Sequence, residues 1–512
     1  MSSEALRAPP LPVPSDVRSV ARGGILNIGG AVIAAVVNVL IVLVITRNFS
    51  PTTAGIFFSV TSVFLIIETV AKLGTSTGLV YFLSRHRALE QSNRNLSVLK
   101  AALIPVLALA VVSSLSLVLL APRIAESVVR GDPGDFVVLL QIAAVFLPVA
   151  ALSDTCLAAT RGFGEMRSTV SIDRVIRPTL QLLLIFAVAV IGTAPLLSAA
   201  WVGPYVPAVV LAVLALHRLY KRSSGKPASA STEVGAFWRF TAPRAVASVA
   251  QLALQRLDIV LVAAMRGPAE AAIYTAATRF LVVGQLGGQA ISLAVQPHLG
   301  VHLAREDRAE ANKLYRTATA WLILLTWPLY LLAVVFAPYL LVVFGAGYEE
   351  GALVVLVLCL TMLVATGCGM VDVVLNMAGR TSWNLLNSLL ALAVNVALNL
   401  WLIPSLGILG AAIAWSVAIL VNNLLPLAQI GLALGLHPFG TATRTAALLS
   451  LIGFGVLPGI TRVIGASTPM VLVLATVLGG ALFIWGCWQQ RETLALSSLR
   501  ALRSRHPAPE PT

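Results

Sequence analysis

Charge is what this sequence has least of. Only 11% of its 512 residues are Asp, Glu, Lys or Arg, against 58% hydrophobic residues. A chain so poor in charge cannot cover a soluble globule of this size with polar surface. Aromatic residues make up 7%, and no basic stretch is interleaved with them, which argues against nucleic-acid binding despite a net charge of +14. The histidines are scattered. His298 and His302 are the one near pair, and no set has metal-ligand spacing. Cys156, Cys359, Cys368 and Cys487 fall singly in apolar runs and read as small buried hydrophobes. No phosphate-cradling glycine loop and no dinucleotide fingerprint is present. The chain is therefore read as not an enzyme, with no bound cofactor and no metal.

What the sequence has instead is long apolar runs. About 20 residues of helix cross the hydrocarbon core of a bilayer, and lipid forces every backbone polar group to pair inside the protein. Fourteen segments meet that length, at about 24–46, 55–81, 98–120, 136–160, 171–191, 196–217, 240–264, 271–295, 317–336, 352–377, 383–403, 410–433, 442–464 and 470–488. None alternates with a period of two, so the segments are helices rather than barrel strands. The expected fold class is an all-α polytopic membrane protein.

Lys and Arg alternate along the gaps between segments. Arg18, Arg22, Arg85, Arg87, Arg94, Arg218, Lys221, Arg222, Arg305, Arg308, Arg500 and Arg503 all fall on one side if the first helix runs from inside to outside. That bias predicts a plasma-membrane protein with both termini cytoplasmic. The first apolar run is too long and too far from residue 1 for a cleaved signal, and reads as an uncleaved helix.

The loop after segment six is basic and rich in Ser and Ala, and it divides two similar halves. Asp154 to Thr160 with Arg161 and Gly162 lines up with Asp372 to Ala378 with Gly379 and Arg380. Ala54, Gly55, Ile56 and Phe57 line up with Ala271, Ala272, Ile273 and Tyr274, and Ala199, Ala200 and Trp201 with Ile413, Ala414 and Trp415. Six helices per repeat is an even number, so the copies share one orientation and are related by a pseudo-two-fold along the membrane normal. The expected organisation is a disordered lead at 1–23, an N-lobe at 24–217, a cytoplasmic linker at 218–237, a C-lobe at 238–433, two appended helices at 434–488 and a basic tail at 489–512. Two such lobes meeting at a seam suit alternating access to a central site.

Polar groups are expensive in lipid and usually face the bundle interior or a wet cavity. In segment seven Arg244, Ser248, Gln251, Gln255 and Asp258 share one helical face. In segment eight Thr278, Gln285, Gln289, Ser292 and Gln296 do the same. Such stripes are either interhelical glue or the wall of a hydrated cavity, and their length favours the cavity. Glu68 and Lys72 stand four apart and suit an ion pair; otherwise Glu68 takes a coupling proton or cation and Lys72 a substrate. Asp258 and Arg279 form a further candidate pair. Asp154 and Asp372 are repeat-equivalent carboxylates that either take up protons or bind nearby basic residues. Arg174, Arg177 and Gln181 share a face, and a planar guanidinium matches phosphate oxygens.

The stretch from Thr46 through Arg47, Asn48, Phe49, Ser50 and Pro51 to Phe57 resembles the R-x-L-G-P-x-x-F/Y-G turn of the multidrug/oligosaccharidyl-lipid/polysaccharide exporter superfamily. Residues 257–274 resemble it again, and residues 378–382 with 395–414 look like that superfamily's turn between helices 11 and 12. Within it the chain is most similar to Wzx-type polysaccharide flippases. The resemblance implies 12 or 14 helices in two lobes and a polyprenyl-diphosphate-linked oligosaccharide as substrate, carried from the inner to the outer leaflet for cell-surface polysaccharide synthesis. Lys72, Arg177, Arg244 and Arg279, with Gln251, Gln255, Gln285 and Gln289, are the head-group candidates. Glu68, Asp154, Asp258 and Asp372 are the coupling or gating candidates. A proton or sodium ion is the expected coupling ion, and polymerase or glycosyltransferase machinery an expected partner. An ion-coupled drug or solute antiporter and a lipid II flippase remain alternatives on the same fold.

Overall fold

The computed structural model describes residues 14–128, 133–223, 233–463 and 469–496. All regular elements among the described residues are helical. The first three are α1, Pro14–Asn48, α2, Pro51–Ala71, and α3, Asn95–Val128. Ser50 caps α2 by accepting from the Thr53 amide, and Pro51 occupies the first turn, where its missing N–H costs nothing. Beyond Leu73 and Gly74, both at positive φ, α2 continues as Thr75–Ala88.

Three of the next spans are broken by proline. α4 consists of Gly134–Val145 and Leu147–Gly162, bent by 41° where Pro148 cannot donate to the preceding turn. α5 opens with the wide turns of Thr169–Ile176 and tightens into Arg177–Ile191, with Pro178 at the change. α6 is Leu196–Val202 plus Tyr205–Ser223.

The second half begins with α7, Glu233–Arg266, α8, Pro268–Ala304, and α9, Arg308–Val342. α10 joins Ala352–Gly367 to Val371–Met377. α11 is Thr381–Leu406 and α12 is Ile408–Leu434. α13 runs through Thr441–Ser450, Leu451–Val456 and Leu457–Val463, and α14 is Pro469–Gln489.

Among the described residues, 12 helices are long and apolar enough to cross a membrane, or 13 if the bent pair in α4 is one span. The remaining expected span falls on α8. With 37 residues it is long enough, but Arg279, Gln285, Gln289 and Gln296 dilute its apolar run. The chain is thus a multi-pass membrane protein.

Residues 14–23, expected to be a disordered lead, form the first turns of α1. Pro14, Ser15 and Asp16 are favoured at a helix start. Residues 1–13 lie outside the described residues. The expected linker is reduced to the gap between Ser223 and Glu233, since α6 and α7 extend into it; residues 224–232 lie outside the described residues, as do 129–132, 464–468 and 497–512. The start of the expected tail docks on α9, where the Trp321 indole donates to the Leu494 carbonyl at 2.9 Å.

We call the face where α1 begins and α6 ends the near face, and that of the α1–α2 and α7–α8 turns the far face. The two helix sets meet where α2 packs between α7 and α8. At the far face a Cβ on Gly55 would lie 1.7 Å from the Pro268 carbonyl oxygen, so the backbones touch there. Toward the near face Gly74 abuts Ala245, and Gly78 abuts Thr241 and Phe237. Tyr81 stacks on Phe240 with ring centroids 4.2 Å apart. α13 and α14 cross where Gly479 meets Gly453, again backbone to backbone, and α13 packs on α9.

Candidate functional site

Three polar features, and a separate buried carboxylate at Asp258, lie within this bundle. The first is a central cavity of about 60 Å³ lined by α1, α2, α6, α7 and α8. Its polar wall is Asn38, Thr61, Arg256, Thr275 and Arg279, and Phe57, Phe58 and Trp201 supply aromatic surface. Asn38 and Arg256 each precede the far end of their helix by about ten residues, and Thr61 and Arg279 follow the start of theirs by about as many. At 1.5 Å per residue that places all four about 15 Å deep, near the middle of a bilayer.

The electrostatics of this cavity are one-sided. Arg279 donates to the Thr275 carbonyl at 3.1 Å and to the Thr278 hydroxyl at 3.3 Å. Arg256 makes no hydrogen bond or ion pair among the described residues. The two guanidinium groups repel one another, and no carboxylate is among the residues lining the cavity. An arginine at mid-bilayer costs about 3 kcal/mol on insertion scales, and here no counter-charge in the cavity lining offsets that cost. Two cations so placed can hold an anion.

The expected partner of Arg279, Asp258, points elsewhere. Its buried carboxylate accepts from Tyr274 Oη at 3.0 Å and from Asn399 Nδ2 at 2.8 Å. Around it the amide of Asn395 and the side-chain oxygen of Asn399 are buried and unbonded. This pocket within α7, α8 and α11 is therefore a ring of oxygens and amides about one carboxylate.

The second feature is a charge cluster nearer the near face, joining α2, α4 and α5. Lys72 Nζ lies 3.0 Å from Glu68 Oε1 and 2.9 Å from Asp154 Oδ2. Arg177 pairs with Asp173 and donates to Tyr205 Oη at 3.2 Å while its guanidinium covers the Tyr205 ring. Arg161 and Arg174 complete the group. Lys72 and Arg177 are each matched by a carboxylate at contact distance, so this cluster is largely self-neutralised.

The third feature is a lateral cavity of about 260 Å³ between α1 and α5 on one side and α8 and α9 on the other. Its wall is mostly aliphatic, with Asn27, Arg174 and Gln289 as the polar exceptions. Arg174 donates one N–H to the Asn27 carbonyl at 2.9 Å.

The remaining expected site residues are spread more widely. Arg244 is tied to its own helix, donating to the Phe240 carbonyl at 2.7 Å with its guanidinium 3.6 Å above that ring. Gln251, Gln255 and Gln285 are exposed and line neither cavity. Asp372 is also exposed, and is not joined to Asp154. Arg256 lines the central cavity and is not among the expected site residues. Its signal was depth: counted from the turns, it is level with Asn38 and Arg279.

A family model described as polysaccharide biosynthesis protein matches residues 20–300, and a second, described as MatE, matches residues 243–401. No curated protein sequence matches the chain. Among solved structures, the fold is similar to the lipid II flippase MurJ in its inward closed conformation. The TM-score is 0.69 at 15% identity, over 93% of this chain and 100% of that one. It is similar to a multidrug resistance MATE family transporter of the MOP superfamily, inward-facing, with a TM-score of 0.67 at 15% identity over 80% of this chain and 99% of that one. A MOP superfamily transporter from Pyrococcus furiosus gives a TM-score of 0.55 at 14% identity, over 82% and 96%.

Proposed function

Because this chain belongs to the polysaccharide biosynthesis protein family, within the multidrug/oligosaccharidyl-lipid/polysaccharide exporter superfamily, we propose that it flips a polyprenyl-diphosphate-linked oligosaccharide across a bacterial plasma membrane. The near face, where α1 begins and α14 ends, is read as cytoplasmic from the Lys/Arg bias. The observation that carries the reading is the Arg256–Arg279 pair, two cations without a counter-charge on the wall of one cavity at mid-depth. A diphosphate presents two adjacent anionic groups to two guanidinium forks.

The lateral cavity supplies a path. Its aliphatic wall suits an isoprenoid chain, and Arg174 with Asn27 suits the phosphate that joins chain to sugar. The head group passes from there to Arg256 and Arg279 while the tail stays in lipid along the α1–α8 side. Lys72 and Arg177 contact it by exchanging their carboxylate partners for phosphate, and Arg244, Gln251, Gln255, Gln285 and Gln289 form the wider approach. The central cavity in this state has room for a few water molecules and none for a sugar diphosphate, so the lobes must part to load it. Asp258, ringed by Asn395, Asn399 and Tyr274, takes the coupling proton or sodium ion. The protein has no catalytic role, and polymerase machinery consumes the flipped product.

A cation antiporter needs an acidic cavity, and here the cavity is basic. The P. furiosus transporter is described as having a pocket of reversed polarity that suggests a different function, a precedent for pocket sign separating functions on this fold. The test is reconstitution in liposomes with a fluorescent polyprenyl-diphosphate sugar in both leaflets. Flipping that is lost in Arg256→Gln and Arg279→Gln supports the reading. Equal flipping of a neutral glycolipid overturns it. Deletion in cells, followed by identification of the inner-leaflet intermediate that accumulates, separates an oligosaccharide carrier from a lipid II carrier.

A further inference from the structure

The far face is closed by a contact that none of the preceding features uses. Arg47, in the last turn of α1, reaches across the seam and donates through Nε to the Val343 carbonyl and through Nη2 to the Val342 carbonyl, at 2.5 and 3.4 Å. Those carbonyls lie at the C-terminal end of α9, where the helix dipole is negative; the Val342 carbonyl also accepts from the Gly345 amide at 3.1 Å. A guanidinium is the side chain best suited to such an end, because its planar fork serves two carbonyls and its charge opposes the dipole. Just beyond, Gly345 (φ +139°) lets the chain turn under the Thr46 carbonyl, which a Cβ there would approach to 3.3 Å. Ile45, Phe344 and Tyr348 close the same spot with buried apolar surface. The contact ties the first helix of one lobe to the third helix of the other.

We infer that Arg47 is the latch of the far-side gate: its bonds to the end of α9 hold the closed state and must break before the central cavity opens to the far face. The inference rests on the alternating-access part of the proposed function, since without lobe movement there is nothing to latch. It does not rest on the substrate.

The experiment reads accessibility alone. Val42, which lines the central cavity from α1 and is buried, is changed to Cys in a background carrying Cys487→Ser; the other three native cysteines are buried. The full chain in proteoliposomes is exposed at the far face to a membrane-impermeant maleimide, without substrate. Arg47→Gln is expected to raise the labelling rate at least tenfold over Arg47. Arg47→Lys, which keeps the charge but not the fork, is expected to raise it less. Labelling of Arg47→Gln at the wild-type rate overturns the latch. If that variant does not assemble, Arg47→Lys at the wild-type rate overturns it equally. Failure of the diphosphate reading would appear in the flipping assay and leave these rates unchanged.

Discussion

The ammonium of Lys72 lies 2.9 Å from a carboxylate oxygen of Asp154, a residue 82 positions away, and so fastens α2 to α4. Because Glu68 holds the same ammonium at 3.0 Å, Lys72 is one cation shared by two anions in a largely buried place. Removing one member of a buried ion pair leaves an uncompensated charge and costs about 3–5 kcal/mol, whereas replacing the whole group by apolar or neutral isosteres is often neutral. Lys72→Met is therefore expected to lower thermal stability sharply. The triple change Lys72→Met, Glu68→Gln and Asp154→Asn is expected to recover most of it. Thermal unfolding in detergent checks both, and a single variant as stable as wild type would remove Lys72 from this structural role.

The opposite sign is expected in the central cavity. Arg256 and Arg279 have no anion to lose, so Arg256→Gln and Arg279→Gln relieve repulsion and desolvation and leave stability unchanged or raised. Their flipping is expected to fall at least tenfold, since a lost charge-assisted contact is worth about 1.5–3 kcal/mol. Pyrophosphate should raise the unfolding temperature of the wild type and not of the double variant, by the linkage between ligand binding and stability. A pyrophosphate shift that survives in the double variant would place the anion elsewhere.

The seam offers a steric prediction. A methyl group on Gly55 would sit 1.7 Å from the Pro268 carbonyl oxygen, and backbone has nowhere to yield. Gly55→Ala is expected to hold α2 away from α8, to destabilise by about 1–3 kcal/mol and to leave the far face partly open. Gly29→Ala, with nothing within 4 Å of its Cβ, is the matched control on a neighbouring helix. Far-face thiol labelling at Val42→Cys reads the difference, and equal rates in the two variants would contradict backbone contact at this point.

These contacts show what could be read from the chain and what could not. Apolar length alone locates the spans, and α8 shows its limit, because functional polar residues weaken the signal where they gather. The Glu68–Lys72 pair follows from four-residue spacing. Its third member, Asp154, does not, since spacing says nothing about which helices become neighbours. The same gap explains the glutamines: periodicity puts Gln251 and Gln255 on one face of α7, but not which neighbour that face meets. Asp258 shares that face and still turns toward Asn399 of α11. Arg256, about a third of a turn from Gln255, meets the central cavity instead.

Asp258 gives the last prediction. Its carboxylate accepts hydrogen bonds from Tyr274 and Asn399, while the Asn395 side-chain amide and the Asn399 oxygen beside it remain buried and unbonded. Asp258→Ala strips two donors of their acceptor, and each buried polar group left unmatched costs about 1–3 kcal/mol. Asp258→Asn keeps the shape and one acceptor oxygen but not the charge, so it should fold nearly as well as wild type. If this carboxylate takes the coupling ion, Asp258→Asn is expected to flip substrate at a rate indifferent to an imposed sodium or proton gradient, while the wild type responds to one of them. Measuring flipping in liposomes with each gradient in turn decides it, and an Asp258→Asn variant that still follows the gradient would assign coupling to another group, the Glu68–Asp154 pair being the next to test.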